Sequence, residues 1–241
     1  MDLHSSKYKA VFLDWDQTIG DWEGAEYLSL QDLYNTHHLS EWFASLDEYI
    51  NVYKQRNLEL WTQYGLGQVT KTFLHRERFL YPLLHALNLS FAPQPFIALA
   101  DKMGEEFLEL TNHYFHLLPG VKEVVIALAK KYPLTIVSNG FGEVQHYKFE
   151  QSGLLPYLTH VVISDEIGIN KPQPGIYEEA LRRNGINREE AIMIGDSYTS
   201  DIAGAIHAGI DQIWVTWGKP HPAEQKATYE VTDLAEVLNI L

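Results

Sequence analysis

Four short segments hold side chains whose types and spacing could do chemistry on an anion. In the first, the apolar run Val11-Phe12-Leu13 leads straight into Asp14-Trp15-Asp16-Gln17-Thr18. Two carboxylates this close repel and are stable together only with a bound cation or a shared proton. In the second, Thr135-Ile136-Val137 ends in Ser138-Asn139-Gly140. Backbone N–H groups at such a turn and helix start form an anion cradle, and the Ser138 hydroxyl adds a donor. The third places Lys171 before Pro172, just ahead of a helix start; a residue before proline is held extended. The fourth, Ile192-Met193-Ile194-Gly195-Asp196, ends an apolar run in an acid, with Asp201 in the helix that follows. One of these acids suits a metal directly, the other a metal-bound water or the lysine.

Each segment alone has a plainer reading: a loop or helix-cap acid, a helix start, a surface lysine, a helix-surface acid. Together they supply carboxylates for a metal, donors for an anion and one lysine, the set that phosphoryl transfer requires.

The elements that must position them follow from the hydrophobic pattern. Ala10–Asp14, Leu134–Ser138, Val161–Ser164, Ala191–Gly195 and Ile210–Thr216 read as buried parallel strands. Helical patterns around Val121–Lys131, Gly142–Gln151, Ile176–Asn184 and Thr199–Ala208 alternate with them, with Gly153, Gly185 and Gly209 just past three helix ends and Pro174 at a helix start. Such alternation predicts an α/β fold with a Rossmann-like parallel sheet, whose ligands bind beyond the carboxyl ends of the strands. All four segments fall there. Residues 20–118 show no strand pattern and read as an all-helical insertion, with breaks near His38–Ser40, Gly65–Gly67 and Asn88–Pro95. The expected division is therefore 1–18 and 119–241 for the sheet core and 19–118 for the insertion. The insertion holds 17 of the chain's 30 Phe, Trp and Tyr; a thin helical bundle needs such side chains for its core, and a minority could face a substrate.

Composition narrows the function classes. A formal net charge of -14 and a pI near 5.1 argue against nucleic acid or anionic lipid as partners. An acidic protein that handles phosphate must bring a cation to the site. With no cysteine, thiolate catalysis, disulfides and cysteine-zinc sites are excluded. No apolar signal run precedes the first strand, and no stretch approaches the ~18 apolar residues of a membrane span; a cytoplasmic protein is expected. His37 with His38, and His113 with His116, lack an acid at matching helical spacing and read as surface or core residues of the insertion.

In order and spacing, Asp14-x-Asp16-x-Thr18, Ser138-Asn139-Gly140, Lys171-Pro172 and Gly195-Asp196 with Asp201 resemble the four motifs of the haloacid dehalogenase superfamily of phosphatases, across the whole core. The insertion resembles the helical cap that many members carry after the first motif. Asn57-Leu58-Glu59-Leu60-Trp61, with Tyr64-Gly65, and Asn139-Gly140-Phe141 resemble the house-cleaning 5′-nucleotidases that act on pyrimidine monophosphates. The resemblance implies that Asp14 is the nucleophile and Asp16 the general acid and base. It implies that Ser138, Lys171 and the Asn139 backbone hold the phosphate, and that Asp14, the Asp16 carbonyl and Asp196 ligate Mg²⁺, supported by Asp201 and Thr18. Trp15 departs from the pattern, where less bulky residues are more familiar; it either narrows the site or packs against the cap.

The expected function is a Mg²⁺-dependent phosphate monoester hydrolase working through an aspartyl phosphate, its partner a small phosphate monoester and its preferred substrate a nucleoside 5′-monophosphate. The alternatives are a phosphatase for sugar phosphates or other small metabolites, a haloacid dehalogenase, a sugar phosphomutase and a non-enzymatic receiver. A dehalogenase uses neither metal nor second aspartate, so Asp16 and Asp196 speak against it. A phosphomutase needs an extra acid/base element in the cap. A receiver is about half this length and has no cap.

Overall fold

The structure, a computed structural model, describes residues 7–241. The chain divides into two compact units: Met1–Asp21 with His116–Leu241, and Trp22–Phe115.

In the first unit, β1 (Ala10–Leu13) runs to the helical insertion, and the chain resumes after it with α5 (Val121–Ala129). There follow β2 (Leu134–Ser138), α6 (Gly142–Ser152), β3 (His160–Ile163), α7 (Ser164–Ile167), α8 (Pro174–Asn184), β4 (Ala191–Gly195), α9 (Ala203–Ala208), β5 (Asp211–Val215) and β6 (Tyr229–Val231). The sheet order is β3-β2-β1-β4-β5-β6, with every pair parallel. Residues of β1, β2 and β4 are buried throughout, as expected for strands covered on both faces by helices. The order reverses at β1, so the crevice outside the carboxyl ends of β1 and β4 is the ligand position of such a sheet.

The structure departs from the sequence expectation in three places. A sixth strand, β6, lies at the sheet edge; only its last residue is buried, so no apolar run marks it. The short helix α7 follows β3 directly and ends at Gly168 with φ 71°. The helix expected over Thr199–Ala208 begins as a π-helical turn, Tyr198–Ile202, and becomes α-helical only from Ala203. Its wider turn is closed by Ile202 N–H donating to the Ser197 carbonyl at 3.2 Å, and π turns of this kind recur at functional sites.

The second unit consists of α1 (Trp22–Thr36), α2 (Leu46–Gly65), α3 (Lys71–Ala86) and α4 (Gln94–His113). Ser45 and Thr70 cap α2 and α3 by accepting from the N–H of Glu48 and Phe73. The core is aromatic: Tyr53, Phe79 and Phe107 meet pairwise at ring-centroid distances of 5.3, 5.8 and 5.4 Å. The buried Arg78 guanidinium lies 4.7 Å from the Phe107 centroid, so a cation over a ring face helps to hold it. Residues 19–21 and 116–118 pair beside the sheet in the first unit: Asp21 N–H donates to the His116 carbonyl at 3.0 Å and Leu118 N–H to the Ile19 carbonyl at 2.9 Å. Among the described residues, no helix is long and apolar enough to cross a membrane.

Candidate active site

The parallel register sets Leu13 beside Ile136 of β2 and beside Ile194 of β4. The residues at or just past the ends of these strands therefore share one edge: Asp14, Ser138 and Asp196. Lys171, from the segment ahead of α8, reaches into this group. Its ammonium donates to Asp14 Oδ1 at 2.5 Å and to Asp201 Oδ1 at 2.7 Å. Lys171 and Asp201 are almost wholly buried. Burial pulls a lysine's pKa down, but the charges of Asp14 and Asp201 outweigh it, and Lys171 stands above its ordinary range.

Oxygens of Asp14, Asp196 and Asp201 lie within 4.8 Å of one another. Burial, reinforced by the charge of Asp201 and opposed by Lys171, pushes the Asp14 carboxyl up to about 7. Burial and the charges of Asp14 and Asp201 push Asp196 up to about 8. One lysine is thus too little positive charge for three clustered acids. An all-oxygen donor set with excess negative charge is the chemistry of a site for a hard divalent cation, so these residues fit Mg²⁺.

Local folding explains why the acids reach this spot. The Asp201 carboxylate is tied back to its own turn: Oδ2 accepts from the Ser197 N–H at 3.0 Å. The π turn is braced by the Tyr177 hydroxyl, which donates to the Ser200 carbonyl at 2.8 Å. Gly195 leaves room, since a Cβ there would stand 2.4 Å from Asp201 Oδ2. Thr18 grips Asp196, its hydroxyl accepting from the Asp196 N–H at 3.0 Å and donating to Asp196 Oδ1 at 3.3 Å.

The phosphate-binding candidates divide. The Ser138 hydroxyl accepts from Gly140 N–H at 3.2 Å and from Gln145 Nε2 at 3.1 Å, which leaves its own proton to donate. The Asn139 side chain is spent within the protein: Nδ2 donates to the Lys171 carbonyl at 2.9 Å and Oδ1 accepts from the Lys171 N–H at 2.7 Å. It pins the backbone of the lysine, so only its main chain is open to an anion.

Asp16 lies apart from the three-acid cluster. Its carboxylate accepts from Lys148 Nζ at 2.7 Å and from Gln145 Nε2 at 2.6 Å, both on α6. The sequence reading missed these two residues. Polar side chains at positions 145 and 148 fall on the same helix face as Phe141, Val144, Phe149 and Ser152, all buried; polar residues on a core-facing stripe were the available signal. Trp15 is fully buried and packs edge-on against Phe149 of α6 at 4.6 Å. The acid partners of two histidines come from elsewhere in the chain, which helical spacing could not show: Glu106 is 2.5 Å from His37 and Asp21 is 2.9 Å from His116.

A parallel sheet ordered 3-2-1-4-5-6, with acids beyond β1 and β4 and a lysine between them, defines a hydrolase of the haloacid dehalogenase kind. The haloacid dehalogenase-like hydrolase family matches residues 11–215, and the chain belongs to that family. It is 30% identical to the pyrimidine 5′-nucleotidase PynA of Streptococcus pneumoniae, over 97% of this chain and 95% of that one. It is 28% identical to the pyrimidine 5′-nucleotidase YjjG of Escherichia coli, over 98% of each. The crystal structure of the HAD-hydrolase YfnB of Bacillus subtilis, bound to magnesium, superposes with a TM-score of 0.80 at 26% identity, covering 97% of this chain and 98% of that one.

Proposed function

We propose that this enzyme hydrolyses phosphate monoesters through an aspartyl phosphate on Asp14, and that its substrates are nucleoside 5′-monophosphates. One observation carries the reading. The buried Lys171 ammonium binds Asp14 and Asp201 together, while the Asp16 carboxylate is held separately by its own donors. Both ester hydrolysis at phosphorus and displacement at a carbon–halogen bond need a nucleophile, but only the first needs an independent second carboxylate to move the leaving group's proton.

Asp14, Asp196 and the Asp16 carbonyl would hold Mg²⁺, with Asp201 beside them. When bound, the ion would offset the repulsion between the Asp14 carboxylate and a phosphate dianion. Lys171 neutralises the equatorial oxygens, and the Ser138 hydroxyl and the backbone after it donate to them. An Asp14 oxygen forms a bond to phosphorus as the ester P–O bond breaks. Asp16 gives a proton to the departing alkoxide and then removes one from the water that attacks the aspartyl phosphate. Free phosphate leaves, and Asp14 is restored.

The nucleotide preference rests on likeness to PynA and YjjG over nearly the whole chain, helical unit included. Aromatic stacking of a base is worth ~1–3 kcal/mol, and the helical unit has the aromatic side chains for it. The test is a panel of nucleotides, sugar phosphates and small phosphorylated acids, with and without chelator. Nucleoside 5′-monophosphates should give the highest kcat/KM, and chelation should abolish turnover until Mg²⁺ is restored. Sugar phosphates of similar size turning over faster would contradict the substrate; full activity in excess chelator would contradict the chemistry.

A further inference from the structure

Both oxygens of the Asp16 carboxylate are held by one helix. Lys148 Nζ donates to Oδ1 at 2.7 Å and Gln145 Nε2 to Oδ2 at 2.6 Å, both from α6. Lys148 is only 2% exposed, and a buried ammonium persists only beside a compensating anion; the ion pair fixes Asp16 as much as it satisfies Lys148. The same Gln145 nitrogen donates to Ser138 Oγ at 3.1 Å. A single amide thus connects the second aspartate to the hydroxyl at the end of β2. This approach requires glycine at 140, because a Cβ there would stand 1.9 Å from Gln145 Nε2.

We infer that Gln145 and Lys148 are positioning residues: they aim the Asp16 carboxyl for proton transfer and couple it to the Ser138 hydroxyl. The inference rests on the reading of Asp16 as acid and base, and it assigns α6 a part in the reaction. Each carboxylate oxygen has two lone-pair sites. One donor per oxygen fixes the plane of the group and leaves a second site on each oxygen for the leaving group or the water. Gln145 keeps that plane in register with Ser138. Proton transfer needs heavy atoms at about 2.6–3.2 Å, and a misplacement of about 1 Å can cost ~10²-fold.

The experiment compares wild type, Asp16→Asn, Lys148→Met, Lys148→Arg and Gln145→Glu. Each is followed through its first step, the transfer of phosphoryl to the enzyme in a single turnover, on p-nitrophenyl phosphate, whose leaving group needs no proton, and on a nucleoside 5′-monophosphate, whose alkoxide does. The second step needs Asp16 whichever ester is used. Lys148→Met should slow that first step for the alkyl ester by ~10–10²-fold more than for the aryl ester, with substrate binding little changed. Lys148→Arg, which keeps charge and donors, should recover most of that loss. Gln145→Glu has the same shape but turns an anion toward Asp16 and Ser138; it should slow the first step for the alkyl ester and weaken the binding of both esters. It also carries the test if Lys148→Met fails to melt cooperatively. Equal losses on the two esters, or an arginine variant no better than methionine, would overturn the inference. If Asp16→Asn itself shows no alkyl-over-aryl loss, the reading of Asp16 fails and the inference falls with it. A selective Asp16→Asn loss beside an unselective Lys148→Met loss overturns the inference alone.

Discussion

Removing the divalent ion should reverse the usual pH dependence of a protein's stability near neutrality. In the metal-free protein, burial and neighbouring charge push Asp14 up to about 7 and Asp196 up to about 8. An unfolded chain leaves both ionised throughout this range. The folded state then binds more protons than the unfolded one, so stability is complete at low pH and is lost as pH rises through the folded values. A carboxyl that is protonated in the fold and ionised in the unfolded chain loses 1.36 kcal/mol of stability per pH unit, over about one unit for Asp14 and almost two for Asp196 between pH 6 and 8. The expected loss is roughly 4 kcal/mol. His221, raised by the Glu230 carboxylate, adds a slope of the same sign, so the metal must isolate the acids. With saturating Mg²⁺ the carboxylates stay ionised and paired, and most of the slope should vanish. Urea unfolding at pH 6, 7 and 8, with chelator or with Mg²⁺, measures it. Metal-free stability that is flat or rises over this range, or a slope untouched by Mg²⁺, would refute the claim that these acids are clustered for a cation.

Two further substitutions test the parts around that cluster. Lys171→Met leaves Asp14 and Asp201 buried without their cation. Turnover should disappear, and stability should fall by roughly 3–5 kcal/mol near pH 8, but by less at pH 5 where the acids take up protons, as urea titrations at the two pH values would show. Gly195→Ala puts a methyl group 2.4 Å from Asp201 Oδ2; displacement of Asp201 and overpacking should cost ~1–3 kcal/mol and raise KM for phosphate esters, measured by melting and steady-state kinetics.

How far the sequence reaches can be judged from particular elements. β1, β2 and β4 are wholly buried, so their apolar runs were legible, and so were the acids and serine at their ends; Lys171 was marked by the proline after it and the helix start beyond. β6 is three residues at the edge with two exposed, and no pattern of that length marks a strand. The π turn at Tyr198–Ile202 is set by tertiary contacts, including the Tyr177 hydroxyl on Ser200, and local sequence does not encode those. Asn139 was legible as part of a motif, yet the work of its side chain depends on the Lys171 backbone, which lies far along the chain. Gln145 and Lys148 look like the solvated side of a helix until that face is seen to be buried. The candidates for chemistry cluster at or near strand ends and can be found by pattern; the side chains that hydrogen-bond to them come from across the fold.

The most direct test of the account is to trap the phosphoenzyme. Asp16→Asn keeps the nucleophile and the backbone carbonyl but lacks the base for the second step. On p-nitrophenyl phosphate it should release a burst of about one p-nitrophenol per active site, followed by turnover slower by ~10²–10⁴-fold. Acid quenching at the end of the burst, followed by peptide mapping by mass spectrometry, should find one phosphoryl group on Asp14. A burst with the phosphoryl group on any other side chain, or with none on the protein, would contradict Asp14 as the nucleophile.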